Sequence, residues 1–131
     1  MDIGNLKENT KYYEGFEDEE EMIFTIEGEN NIDLHIWRGY FDSLFDNYDY
    51  KEQNKKGFTK DYHLCEGVYN MKEKNRIDKV DEYLNDLLTY KNIKFTYPEA
   101  EKCLQLIIEL FEYAKQNNKR VLIEGMGKWV L

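Results

Sequence analysis

Apolar and polar positions alternate twice in the first third of the chain and then change period. Met22 to Glu27, MIFTIE, is rich in β-branched and aromatic residues, and in NNIDLHIW the residues Ile32, Leu34 and Ile36 alternate with Asp33, His35 and Trp37. That two-residue period belongs to half-buried strands, and EGENN between the two stretches supplies a turn, so the pair reads as a β-hairpin. One face offers Ile32, Leu34 and Ile36 to a core, while the other carries His35 and Trp37 beside acidic neighbours. After Gly39 the apolar residues Phe41, Leu44, Phe45 and Tyr48 recur every three or four positions, which predicts a helix with Asp42, Asp46 and Asp49 on its far side.

Two further helices follow from the same period. RIDKVDEYLNDLLTY places Ile77, Val80, Leu84, Leu87 and Leu88 on one face and Asp78, Asp81, Glu82 and Asp86 off it. TYPEAEKCLQLIIELFEYAKQNN opens with Thr96 and Glu99 at capping-box spacing and Pro98 in its first turn, and it ends with Lys115 where the helix dipole favours a cation. Its apolar face is Ala100, Cys103, Leu104, Ile107, Leu110, Phe111 and Ala114, which makes it the central core helix. Asn117 and Asn118 stop it, and RVLIE follows with the composition of a short buried strand. With NIKF before the helix this gives strand, helix, strand, a crossover that permits a right-handed parallel pair. KEQNKKGFTK has no apolar period and collects four lysines, which reads as an exposed basic loop or a helix end followed by a loop; DYHLCEGVYNM fits strand and helix spacing alike and is taken as strand.

These elements predict an α+β domain, with a two-layer α/β arrangement also open: an N-terminal hairpin, three helices on a small mixed sheet, and a closing helix followed by a short strand. The length of 131 residues fits one domain spanning 1–131, and one proline and eight glycines leave no long linker to divide it. Residues 1–21 form an acidic N-terminal segment expected to be partly extended. The hydrophobic fraction of 41% is too high for a disordered chain. No run of 18 apolar residues occurs, and MDIGNLKENT lacks the basic-then-apolar layout of a secretory signal, so the expected location is cytoplasmic.

Charge changes this picture, because it is uneven. Residues 1–50 hold 14 acidic and 3 basic side chains, whereas residues 51–131 hold 13 and 15. Within YYEGFEDEEEMIFTIEG, six carboxylates and no base lie between Glu14 and Glu21. Such a field attracts basic surfaces at long range and disfavours nucleic-acid phosphates. A run of carboxylates is ordinarily a solvated face, but here aromatic rings are interleaved with it. Charge sets encounter rates and desolvated rings supply affinity, so the combination points to a protein-binding surface. Its candidate residues are Tyr12, Tyr13, Glu14, Phe16, Glu17, Asp18, Glu19, Glu20 and Glu21, joined by Asp42, Asp46 and Asp49.

Catalytic signatures are weak by comparison. His63 and Cys65 form an H-x-C pair that a metal site would have to complete with Cys103 or His35, without a second close pair at zinc-like spacing. Cys103 lies on an apolar helix face, where a thiol is inert. DSLFDNYDYKE lacks the ligand alternation and central glycine of a calcium loop, and GMGK has no following helix to cradle a phosphate. No metal or cofactor is expected, and no enzymatic activity.

In KYYEGFEDEEE and PEAEKCLQLIIELFEYAKQNNKRVLIE the chain resembles the immunity proteins of bacterial toxin systems, of the barstar type, over well under half of its length. The resemblance implies a small cytoplasmic inhibitor that neutralises a basic toxin, a nuclease above all. Two other readings stay open: a phage-encoded nucleic-acid mimic that blocks a defence nuclease, and a small enzyme using His63 and Cys65.

Overall fold

A computed structural model describes residues 3–45, 57, 75–90 and 93–126. Its strands are β1 (Asn9–Tyr12), β2 (Glu21–Ile26), β3 (Glu29–Trp37), β4 (Asn75–Ile77) and β5 (Val121–Met126); its helices are α1 (Arg38–Ser43), α2 (Val80–Leu88) and α3 (Pro98–Gln116). The strands form one mixed sheet in the order β1-β3-β2-β5-β4, so the fold is α+β. Among the described strands, β1 and β3 are the one neighbouring pair that is parallel.

The alternation in β2 and β3 carries the architecture. Met22, Phe24 and Ile26 on β2 and Ile32, Leu34 and Ile36 on β3 are buried, as are Val121 and Ile123 on β5, and α1 and α3 pack against these strands. β2 and β3 pair antiparallel as expected, but the turn is only Glu27 and Gly28, with Glu29 to Asn31 already in the strand and an irregularity between Thr25 and Ile26. Tyr113 of α3 donates a hydrogen bond to Glu29 beside this turn, and Lys119 lies 3.4 Å from the same carboxylate. These contacts hold Glu29 below the usual carboxylate range, the tyrosine hydrogen bond contributing most.

α3 buries the whole predicted face from Ala100 to Ala114, together with Leu106 and Ile108. Pro98 occupies its first turn with Glu99 and Glu101, and Lys115 its last, where each complements the dipole. The capping box does not form: the N-cap is Tyr97, with no side-chain hydrogen bond, because the helix begins two residues after Thr96. Cys103 is buried and its thiol is pushed up to about 12, mainly by burial, as suits an inert core group.

Three expectations are corrected. Asn75–Ile77 is a strand pairing antiparallel with β5, not the first turn of a helix. Ile77 and Val80 both point inward, and their three-residue spacing mimics helical period across a strand-to-helix junction. Asp86, expected off the apolar face, is 8% exposed, since the buried face of α2 includes Tyr83 one turn away. Residues 93–95 are not a strand, so the parallel crossover is absent and both neighbours of β5 are antiparallel. Ile93 and Phe95 are apolar because they pack on the core, not because they pair.

Phe41, Leu44 and Phe45 are buried, as the period after Gly39 requires, but the α-helix itself ends at Ser43. Tyr48, Asp46 and Asp49 lie outside the described residues, as do His63, Cys65 and all of DYHLCEGVYNM. Of the lysine-rich stretch only Gly57 is described, and it is buried instead of exposed. No helix among the described residues is long and apolar enough to cross a membrane.

Candidate protein-binding surface

Residues 13–20 connect β1 to β2, and their carboxylates crowd a backbone that folds back on itself. Tyr13 N and Glu14 N both donate to Thr10 O, Phe16 N donates to Tyr13 O, and Glu19 N donates to Phe16 O. The Tyr13 hydroxyl donates to the Glu19 carbonyl at 2.6 Å, with the Glu17 carbonyl 3.2 Å away, so one phenol ties both halves of the loop. Gly15, at φ +91, takes a left-handed conformation that side chains disfavour, and Glu17 Oε1 accepts its N–H. The loop is thus shaped before any partner arrives, which lowers the ordering cost of binding. Burial raises the Tyr13 hydroxyl pKa, and the charges of Glu21, Glu17, Asp18 and Glu19 raise it further.

Four aromatic rings close over the end of the sheet where β3 passes into α1. Phe16 of the loop stacks on Trp37 with centroids 4.1 Å apart and planes 6° from parallel. Tyr40 stands edge-on to both, at 5.6 and 5.0 Å. Tyr97, just before α3, meets Trp37 at 5.7 Å and Tyr40 at 5.5 Å. Each such pair contributes about 0.5–1.5 kcal/mol beyond its area. Tyr97 is 38% exposed and is the only exposed large apolar side chain among the described residues.

Gly39 lets this packing happen. A Cβ there would stand 2.5 Å from Cζ2 and Cζ3 of the Trp37 indole, and the stack on Phe16 leaves that ring little freedom to retreat. Gly39→Ala is expected to destabilise the fold by about 1–3 kcal/mol and to shift the Trp37 emission, as checked by urea unfolding and fluorescence in a Trp129→Phe background. An unchanged spectrum and midpoint would contradict the packing.

The predicted carboxylates divide into three groups. Glu14, Glu17, Asp18 and Glu19 are exposed, and no ion pair with a described cation engages them. Glu20 and Asp42 instead flank Arg38, at 3.6 and 2.9 Å, which offsets their charge internally. Glu21 belongs to the sheet, where its Oε2 lies 2.8 Å from His35 Nδ1, while Asp33 Oδ1 lies 3.0 Å from Nε2. Tyr12 is turned away from the loop's carboxylates: it is half-buried against the core and lines a groove with Lys102, Gln105 and Leu106 of α3.

With both ring nitrogens facing carboxylates, His35 meets its partners fully only when doubly protonated. Burial alone would lower its pKa, but the hydrogen bonds that the ring donates to Asp33 and Glu21, and their charges, outweigh burial and raise it above 6.5. The bridge therefore contributes its full stability below about pH 6.5 and loses it as pH rises through the higher folded-state value. Unfolding measured from pH 6 to 9 is expected to show this decline in the parent chain and not in His35→Gln. A difference between the two that stays constant with pH would refute it.

Trp37, Tyr40, Tyr97 and Glu99 lie outside the binding surface that the sequence predicts. Trp37 was visible only as an outward strand position, and nothing in the local period marks Tyr40 or Tyr97. Glu99 joins them because it lies close enough to Tyr40 for its charge, after burial, to raise the Tyr40 pKa. Among the described residues no group of His, Cys, Asp and Glu could hold a metal ion.

No family model matches the chain, and no curated protein or solved structure matches it either.

Proposed function

We propose that this protein is a small cytoplasmic inhibitor that binds a basic protein, as an immunity protein binds a nuclease toxin, and that it performs no catalysis. The observation that carries the proposal is the joining of Glu14, Glu17, Asp18 and Glu19, none paired with a described cation, to the ring cluster of Phe16, Trp37, Tyr40 and Tyr97. The carboxylates steer a cationic surface into contact, and the rings supply desolvated area once it arrives. Glu20, Glu21 and Asp42 contribute field, but their pairing with Arg38 and His35 removes them from the front rank of contacts. Tyr12 supports the fold beneath the loop.

A nuclease is the favoured target because its phosphate-binding site is a concentration of lysine and arginine that an acidic loop can occlude. The test uses the whole chain as bait against extract of the producing cell, beside a variant carrying Glu14→Gln, Glu17→Gln, Asp18→Asn and Glu19→Gln. The expected result is a basic protein retained by the parent and lost by the variant, whose activity the purified parent chain blocks. Capture of the same protein by both chains, or capture without inhibition, would overturn the proposal.

A further inference from the structure

α1 and α3 pack on one face of the sheet. The side chains of the other face, Ile23, Thr25, Asp33, His35, Leu122 and Glu124, are each only partly buried and line an open groove of about 430 Å³. Pairing fixes its layout: Ile23 stands between His35 on β3 and Glu124 on β5, and Thr25 between Asp33 and Leu122. Ile23, Thr25 and Leu122 thus form the floor, Asp33 one margin and Glu124 the other, with Glu27 and Glu29 at the turn end. Glu124 makes no ion pair with a described cation, and Arg76, across from Leu122 on β4, is already held by Glu27 and Asp78 at 3.0 and 2.9 Å. At the opposite end the same face continues through Glu21 to Trp37, its neighbour across the β2 and β3 pair, and so to the ring cluster.

We infer that this face of the sheet receives a basic amphipathic helix of the partner, its apolar stripe on Ile23, Thr25 and Leu122 and its lysines or arginines reaching Asp33 and Glu124. This rests on the proposed binding of a basic protein and adds a second contact surface, continuous with the first. Width selects a helix. Strands in a sheet lie about 4.8 Å apart, so margins on β3 and β5 are separated by roughly 10 Å, close to the ~10–12 Å diameter of a helix with its side chains. An extended segment pairs through its backbone with a sheet edge, not with a face. A second copy of this chain would set the same carboxylates against each other. A cationic helix meets an acidic margin on each flank, and its aliphatic lysine stems add cover to the floor.

The probes are a synthetic helix of leucine and lysine, with the leucines along one face, and a scrambled peptide of equal composition. Each is titrated into the full-length, isotope-labelled chain at low salt, with amide shifts read by NMR. The amphipathic peptide is expected to bind about fivefold or more tighter than the scrambled one and to move the amides of β2 and β5 most. Thr25→Arg sets a cation and a bulky side chain on the floor and should lower that affinity about tenfold or more. Glu124→Gln keeps the shape and should lower it about two- to fivefold, the scale of an exposed ion pair. Asp33→Asn should do less, because His35 already lies 3.0 Å from Asp33. Equal binding of the two peptides, equal failure to bind, shifts confined to residues 13–20, or unchanged affinity in both Thr25→Arg and Glu124→Gln overturns the docking surface. Self-association of the parent that Thr25→Arg abolishes would assign the face to a second copy and overturn it too. In the capture from cell extract, a partner bound with undiminished affinity by Thr25→Arg but lost by the loop variant removes this surface and leaves the proposed function standing. A partner kept by the loop variant overturns the proposed function itself.

Discussion

Phe24→Ala is expected to destabilise the protein by about 3–5 kcal/mol, the range for removing a fully buried ring. Phe24 is 0% exposed and sits in β2, the middle strand of five. Its ring centroid lies 5.9 Å from that of Phe41 on α1. The loss is large because neighbours on a central strand cannot close around the cavity without breaking pairing with β3 on one side and β5 on the other. Total stability of an ordinary domain is about 5–15 kcal/mol, so the variant should unfold at much lower urea, with the slope of the transition unchanged. Tyr40 adjoins Phe41 on the same short helix, so the damage should extend to the ring cluster. A loss below about 1 kcal/mol would mean that α1 does not rest on β2 as described.

Trp37→Ala carries the second large effect, and it falls on binding. The indole contacts Phe16, Tyr40 and Tyr97, and without it the loop loses its stacking partner and Tyr97 one of its two supports. Central aromatic residues in interfaces commonly cost 2 kcal/mol or more when truncated, so partner affinity should fall by about 30-fold or more. Folding should suffer less than in Phe24→Ala, because Trp37 is only half-buried. Tyr12→Leu is the matched control: Tyr12 is also acidic-segment and aromatic, but it packs toward α3, and its replacement should leave affinity within about twofold. Equal losses from the two variants would place the contact surface elsewhere.

The contrast between Tyr12 and Trp37 shows what the linear pattern could and could not reveal. Strand alternation in MIFTIE and NNIDLHIW identified the buried set Ile32, Leu34 and Ile36, and helical spacing identified the face of α3, because both signals repeat several times. β4 is three residues long and contributes one deeply buried side chain, Ile77, too little repetition to separate a strand from a helix end. NIKF had strand composition without a place in the sheet, since core packing and strand pairing draw on the same apolar residues. In the surface itself, the carboxylate run was legible as composition, and Phe16 was visible within it. Its partners Trp37, Tyr40 and Tyr97 are separated in sequence by up to 81 positions from Phe16 and meet only through the tertiary fold. Likewise, the internal neutralisation of Glu20 and Asp42 by Arg38 required coordinates, because one arginine among many acids does not announce which of them it serves.

The most direct measurement is the association rate of the captured partner as a function of ionic strength, for the parent chain and for the loop variant neutralised at residues 14, 17, 18 and 19. If the loop steers the encounter, the parent rate should fall steeply between about 20 and 300 mM salt, while the variant associates more slowly at low salt and with a much shallower dependence. Superimposable rate curves for the two chains would contradict electrostatic steering by these four carboxylates.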